Sequence, residues 1–111
     1  MDEDGTEPPG HIDPIIQVFV IEATFPLGML VATPGAVTAL EAAGQSAPEF
    51  LSRHVRRDWG ELDEEDRAAN NYALSTFGRL LSAYTMASGQ EIWIITEGDR
   101  SATTLLLPAE Y

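Results

Sequence analysis

The sequence predicts a single α+β domain in which helices pack against an antiparallel sheet. Segments rich in β-branched and aromatic residues lie at both ends of the chain, and three segments between them carry helix start and stop signals. The predicted order is therefore ββαααβββ. With 111 residues, the chain is long enough for one core but not for two. We expect residues 14–111 to form this domain, after a disordered acidic tail over residues 1–13.

The first two strands are predicted from composition. The segment IIQVFVIEA (15–23) has the β-branched and aromatic content of a strand, and MLVAT (29–33) is a shorter one. Between them, FPLG (25–28) has the chemistry of a turn. We therefore expect the two strands to pair as a hairpin.

The first two helices are predicted from their end signals. Thr33 followed by Pro34 is typical of a helix start, and Gly44 is a suitable left-handed end. The capping-box pattern SAPE (46–49) predicts a second helix that continues to about Arg57.

The rest of the chain predicts one helix and a meander. Asp63 is the expected N-cap of a helix over residues 64–77, with acidic residues in its first turn and Gly78 as its end. Tight turns then separate the three strands of an antiparallel meander, which are residues 79–86, 91–96 and 101–107.

The charge balance restricts the partners. The net charge is -12, and all six basic residues are arginines. Such a surface repels nucleic-acid phosphates unless its cations are gathered in one place, so a protein partner is expected more than a nucleic acid. The acidity has three readings: a general solubility bias, a face that meets a basic partner, or drift.

Several site classes are excluded or disfavoured by residue content. There is no cysteine, and the two histidines, His11 and His54, have no metal-ligand spacing around them, so no metal or cofactor is expected. The longest apolar run, around residues 18–21, is far shorter than a membrane span, and the acidic N-terminus differs from a signal peptide. We therefore expect a cytoplasmic protein without membrane contact.

A candidate catalytic cluster follows from strand alternation. With Gly98 and Asp99 as a two-residue hairpin loop, Glu97 faces Arg100, and the hydroxyl groups of Thr96, Ser101 and Thr103 form a row on one side of the sheet. Whether Ser82 or Tyr84 joins this row depends on the strand order. A row of this kind is common on a solvent-facing side, but beside His54 and an arginine it would bind an anion or perform metal-free acid–base chemistry. The candidate catalytic residues are His54, Arg79, Ser82, Tyr84, Thr96, Arg100, Ser101 and Thr103.

A second candidate is the arginine-rich segment RHVRR (53–57). Guanidinium groups grip carboxylates and phosphates in a bidentate manner, so this segment is a candidate partner-binding site. Alternatively, its arginines pair with the acidic residues that follow it and form a solvated surface network. The candidate binding residues are Arg53, Arg56, Arg57, Asp58 and Trp59.

Several long segments resemble a known family. They are TPGA (33–36), HVRRDWGELDEED (54–66), GRLLSAY (78–84) and IWIITEGDRSATTLLLPAEY (92–111). They are similar to a family of small proteins from plasmids, phages and bacterial chromosomes, described as hypothetical or plasmid-related and in some cases labelled as type I restriction modification subunits. The resemblance covers roughly residues 28–111. The chain departs from the family pattern at Arg57 and Gly98, where Gly and Ala are expected.

Two functions remain open at this stage. The first is a non-catalytic accessory protein that modulates host defence or plasmid maintenance, as the resemblance implies. DNA mimicry is a sharper form of it, although the carboxylates cluster at one helix start instead of spreading like phosphates. The second is a metal-independent, toxin-like ribonuclease, suggested by fold-level analogy alone. It would use His54 as acid–base group, Arg79 or Arg100 on the phosphate, and the strand hydroxyls for positioning.

Overall fold

The computed structural model describes residues 24–111, which fold into three helices and a four-stranded sheet. The α+β class is confirmed. The strands are β1 (Met29–Ala32), β2 (Leu80–Thr85), β3 (Glu91–Thr96) and β4 (Ala102–Leu106), and the helices are α1 (Pro34–Ala43), α2 (Ala47–His54) and α3 (Glu64–Thr76), followed by a 3₁₀ turn over Pro108–Glu110. The predicted strand over residues 15–23 and the predicted tail lie outside the described residues.

Helices α1 and α3 begin at the predicted caps. The Thr33 hydroxyl accepts a hydrogen bond from the Ala36 amide at 3.0 Å, and the Asp63 carboxylate accepts one from the Asp66 amide at 2.8 Å. Each cap satisfies an amide that the helix leaves unpaired. Helix α1 ends at Gly44, which has the left-handed φ of 68° that the sequence predicted for it.

Two helix ends differ from prediction. Helix α2 stops at His54, because the amides of Arg57 and Asp58 turn back to the carbonyls of His54 and Arg53. This is the Schellman pattern, and it places Arg57 in the left-handed region with φ 67°. Helix α3 likewise ends on Phe77, with φ 58°, and not on Gly78.

The sheet has the strand order β1-β4-β3-β2. Strands β2, β3 and β4 form the predicted antiparallel meander. Strand β1 instead runs parallel to β4, with Met29 beside Ala102, so the sheet is mixed and not wholly antiparallel. Parallel neighbours need a long crossover, which here consists of the three helices and the first two meander strands.

The predicted β3–β4 register was wrong by two residues. Thr96 pairs with Thr103, and the loop covers residues 98–101. The reason is Arg100, whose left-handed φ of 63° closes a turn in which its amide donates to the Glu97 carbonyl at 2.8 Å. A shift of two residues leaves the paired side chains of β3 and β4 on their predicted faces, because side chains alternate with a period of two.

The FPLG segment crosses the sheet instead of turning. The Thr24 amide donates to the Val55 carbonyl at 3.0 Å, and Phe25 packs with Trp59 on the β2 side. Two residues later the Leu27 carbonyl accepts a hydrogen bond from the Thr103 hydroxyl at 2.7 Å. The chain therefore runs from the β2 side of the sheet to β1 at the other end of the strand order, and the predicted tight turn is absent at residues 25–28.

One face of the sheet forms the main core with α1 and α2. Its buried side chains come about equally from strands and helices, and burying them provides the main favourable free energy of folding. They are Ala36, Ala39, Leu40, Phe50, Leu51, Tyr84, Met86, Ile92, Ile94 and Leu105.

Two sets of hydrogen bonds satisfy the backbone along the outer edge of β2. The Asn70 amide group donates to the Leu81 carbonyl and accepts from the Leu81 amide, at 2.7 and 3.0 Å. At Ala83, the Trp59 carbonyl and the Glu61 amide complete the same pattern at 3.1 and 2.7 Å. The backbone groups of Leu81 and Ala83 that point away from β3 are therefore hydrogen-bonded within the chain.

Candidate functional site

His54 lies at the end of α2 and is completely buried. Its ring contacts Phe25 and Trp59 edge-on, with ring centroids 5.2 and 5.7 Å away. These aromatic rings make the surroundings apolar on two sides. The histidine is therefore a core residue and does not line a cleft.

A continuous hydrogen-bond chain passes through His54. Its Nδ1 lies 2.6 Å from the Ser82 hydroxyl, and its Nε2 lies 2.9 Å from the Thr96 hydroxyl. The Thr96 hydroxyl is 2.7 Å from that of Thr103, which donates to the Leu27 carbonyl at 2.7 Å. All four side chains have no exposed surface. We call His54, Ser82, Thr96 and Thr103 the buried polar chain.

The direction of this chain follows from the number of protons available. Thr103 has one hydroxyl proton, and it goes to the Leu27 carbonyl, so Thr103 accepts from Thr96. Thr96 has then used its own proton and accepts from Nε2–H of His54. Ser82 in turn donates to Nδ1. The arrangement places a proton on Nε2, and with a neutral ring Nδ1 accepts from Ser82.

The electrostatics agree with a neutral ring. Burial lowers the pKa of His54 from 6.5 to about 3. An acid–base catalyst needs a pKa near the working pH and access to the substrate, and buried His54 has neither. Nearby Tyr84 is also engaged, because its hydroxyl donates to the Asp58 carbonyl at 2.6 Å and burial raises its pKa.

Arg100 serves as a backbone clamp. It is 7% exposed, and its guanidinium donates to four carbonyl groups at 2.7–3.1 Å: those of Ala73, Gly78, Glu97 and Gly98. The predicted cross-strand pair with the Glu97 carboxylate is wrong, because Arg100 binds the Glu97 main chain instead. The clamp joins the end of α3, the α3–β2 link and the β3–β4 loop.

Two further candidate catalytic residues lie apart from His54. Arg79 is exposed, donates to the Tyr111 hydroxyl at 2.7 Å and lies 3.6 Å from the Glu97 carboxylate. Ser101 is exposed in the β3–β4 loop, where its amide donates to Asp99 at 3.0 Å, so it does not belong to the hydroxyl row. The structure therefore brings together His54, Ser82, Thr96 and Thr103 and separates them from Arg79 and Ser101.

The candidate binding segment is a local network. Arg53 pairs with Asp58 at 2.7 Å and lies 4.5 Å from the centre of the Tyr84 ring. The hydrogen bond from Arg53 lowers the pKa of Asp58, and the charge of Arg56 adds to this effect. Arg57 donates to the Thr24 hydroxyl at 3.2 Å.

Trp59, the last of the candidate binding residues, is 5% exposed and packs in the second core cluster with Phe25 and Leu80. Its indole N–H donates to Asn71 at 3.3 Å. Trp59 is therefore a core residue, while the Arg53–Asp58 pair agrees with the alternative of a local surface network.

A partly exposed aromatic pair lies on the other face of the sheet. Tyr111 stacks edge-on against Trp93 at 5.6 Å, and the Arg79 guanidinium lies 5.8 Å from the Tyr111 ring centre. We call Arg79, Trp93 and Tyr111 the outer-face cluster. With Leu81 and Ile95 it lines a cavity of about 220 Å³.

Sequence reasoning missed this cluster although a signal for it was present. In EIWIITE, alternation places Glu91, Trp93, Ile95 and Glu97 on one face of β3. That face is opposite to the one bearing Ile94 and Thr96. Only Tyr111, which follows the last strand, had no pattern to place it there.

Comparisons with protein-family models, with curated proteins and with solved structures found no match. Among residues 24–111, no group of three or more histidine or acidic side chains could hold a metal ion. In the same residues, no helix is long and apolar enough to cross a membrane.

Proposed function

We propose that this chain is a non-catalytic accessory protein that binds a basic protein partner through the outer-face cluster. The observation that carries the proposal is the cavity between Arg79, Trp93 and Tyr111, on a sheet face that α1 and α2 leave uncovered. The resemblance to plasmid- and phage-borne proteins supports a role in host defence or plasmid maintenance.

The composition of the cluster supports protein binding. Trp, Tyr and Arg are the residues most enriched at the energetic centres of protein interfaces. Tyr111 is 69% exposed, and Trp93 is partly exposed beside it. A cavity of about 220 Å³ is below the usual size of a small-molecule site but large enough for one apolar side chain of a partner.

The charge around the cluster indicates the kind of partner. Glu91 and Glu97 lie at the two ends of the β3 face that carries Trp93, and the chain as a whole has a net charge of -12. Arg79 is already engaged by Glu97 and Tyr111. A segment with an apolar side chain flanked by lysines or arginines therefore complements this face.

The ribonuclease alternative has less support. Its acid–base residue, His54, is completely buried with a lowered pKa, and Arg100 donates to backbone carbonyls. Arg79 lies on the other face of the sheet with Tyr111. The net charge of -12 also opposes binding of an RNA backbone.

The proposal is tested by affinity capture from a bacterial lysate with three forms of the full chain. Tyr111→Ala removes the exposed wall of the cavity, and Tyr72→Ala is a matched control, since Tyr72 is 71% exposed on α3. We expect a basic protein that is retained by the wild type and by Tyr72→Ala and lost with Tyr111→Ala. Binding of the purified partner should weaken with salt and change the fluorescence of Trp93.

Two results would overturn the proposal. One is capture of the same proteins by all three forms. The other is RNA cleavage by the purified wild type that disappears in His54→Ala while the variant stays folded.

A further inference from the structure

The two edge strands of the sheet, β2 and β1, differ in how their outward backbone groups are hydrogen-bonded. At β2, Asn70 and residues 59–61 complete the hydrogen bonds of Leu81 and Ala83. Exposed edges invite pairing with another chain, and proteins usually block them with such contacts, with charges or with proline. Among residues 24–111, strand β1 forms the other edge, and its sequence MLVA has neither a charge nor a proline.

The backbone of β1 presents hydrogen-bonding groups outward. The amides of Met29 and Thr33 donate to the carbonyls of Ser101 and Leu105 at 2.9 and 3.0 Å, on the β4 side. In a parallel pair, the intervening residues then direct both N–H and C=O away from the partner strand. Leu30 and Ala32 therefore turn these groups to the outer edge.

The side chains of this edge are apolar and accessible. Met29, Leu30 and Val31 are 69%, 53% and 40% exposed. The chain carries a net charge of -12, but β1 itself has no charged residue. Pairing β1 of two copies therefore places no charged side chains of β1 opposite each other. A surface of this kind suits a second copy better than a charged partner.

Thr24, the first described residue, lies at the far side of the sheet from β1. Thr24 is bonded to Val55, and Phe25 packs on Leu80 of β2, at the far side of the sheet from β1. Three strand spacings of about 4.8 Å separate these edges, or about 14 Å. Residues 1–23 would need about four or five extended residues to cross this distance before any of them could reach β1.

We propose that β1 pairs with β1 of a second copy, antiparallel about a two-fold axis. Leu30 then lies opposite Ala32 of the second copy and exchanges both hydrogen bonds with it, and Val31 lies opposite its own equivalent. The two sheets join into one, and both outer-face clusters lie on the same side of it. The dimer goes beyond the proposed binding function and does not depend on it.

The mass of the full chain in solution tests the proposal, by sedimentation equilibrium near 150 mM salt. We expect twice the chain mass of 12.1 kDa. Val31→Lys places like charges directly opposite each other and should raise the dimer dissociation constant by about tenfold or more. Val37→Lys is the matched control, because Val37 is 43% exposed on α1, and it should leave the dimer intact.

Hydrogen exchange at the Leu30 amide separates the possible occupants. In a dimer, its protection increases with protein concentration and disappears in Val31→Lys. A wild-type monomer at the highest soluble concentration overturns the proposal, as does equal dissociation in both lysine variants. Leu30 protection that is independent of concentration also overturns it, because that result assigns the edge to residues 1–23 of the same chain.

Discussion

The imidazole Nε2 of His54 donates to the hydroxyl of Thr96, 2.9 Å away and 42 residues later in the chain, with neither side chain exposed. This contact joins the end of α2 to the central hairpin of the sheet. Because it continues through Thr103 to the Leu27 carbonyl, it also anchors the segment that leads into β1. The buried polar chain therefore links four parts of the fold: the end of α2, strand β2, the β3–β4 hairpin and the segment that leads into β1.

Thr96→Val should destabilise the protein by about 1–3 kcal/mol, because it leaves the buried Nε2–H of His54 and the Thr103 hydroxyl without their partner at almost unchanged volume. Thr104→Val is the control, since Thr104 lies one pair further along the same hairpin and on the outer face. We expect it to change the free energy of unfolding by less than about 0.5 kcal/mol. Urea denaturation measures both, and equal effects would contradict a structural role of the buried polar chain.

Stability should fall with acidification below pH 6.5. The pKa of His54 is about 3 in the folded protein and 6.5 in the unfolded chain, so the unfolded chain binds the proton first. The contribution of neutral His54 is complete above pH 6.5 and is lost as the pH falls toward about 3. From about pH 7 to about pH 5 the loss is about 2 kcal/mol.

Urea midpoints measured from about pH 7 to about pH 5 check the prediction. His54→Gln is the control, and it should remove most of the dependence of the midpoint on pH. The carboxyl groups with lowered pKa, Asp58, Asp99 and Glu110, titrate below this range and do not obscure it. A wild-type slope equal to that of His54→Gln would show that His54 is accessible to protons.

Arg100→Lys should destabilise the protein by about 2 kcal/mol or more. A guanidinium reaches several carbonyls at once in a fixed fork, whereas an ammonium group has fewer donors and is more strongly hydrated. Arg79→Lys is the matched control on the surface, where Arg79 has a half-exposed side chain, and we expect a change within about 0.5 kcal/mol. Thermal unfolding measures the stability of both variants, and equal changes would contradict a stabilising role of the Arg100 hydrogen bonds.

Arg57→Gly should stabilise the protein by about 0.5–1 kcal/mol. Arg57 occupies a left-handed position with φ 67°, which costs a side-chain-bearing residue about 1–2 kcal/mol, and among the described residues the variant loses an exposed hydrogen bond to Thr24. Arg56→Gly is the adjacent control, and there glycine should cost about 0.5–1 kcal/mol. Opposite signs in denaturant midpoints are the expected outcome, and a loss of stability in both would contradict the strain argument.

Two positions at which the chain differs from the proteins it resembles, Arg57 and Gly98, have structural constraints. Glycine is expected at position 57 and suits its left-handed backbone. At Gly98 the reverse holds, because a Cβ placed there would collide with the Phe77 carbonyl. This close approach, which only glycine permits, lets the β3–β4 loop lie against the end of α3.

Local signals predicted the helices and the meander well because their causes are local. The Thr33 and Asp63 caps, the Gly44 end and the alternation in β3 each depend on a few neighbouring residues. The errors arose where the backbone adopts a left-handed conformation at Arg57, Phe77 and Arg100. These residue types do not normally favour that conformation, and only their contacts with distant segments explain it.

The sequence by itself determined the α+β class, the strand faces and the shared face of Thr96 and Thr103, because side-chain period and capping chemistry are properties of short segments. Tertiary structure alone decided that β1 runs parallel to β4, that His54 is sealed between Phe25 and Trp59, and that Arg100 binds carbonyls instead of Glu97. Those outcomes depend on which segments meet in space. Burial then turns a set of residues with catalytic chemistry into a neutral and fully paired part of the core.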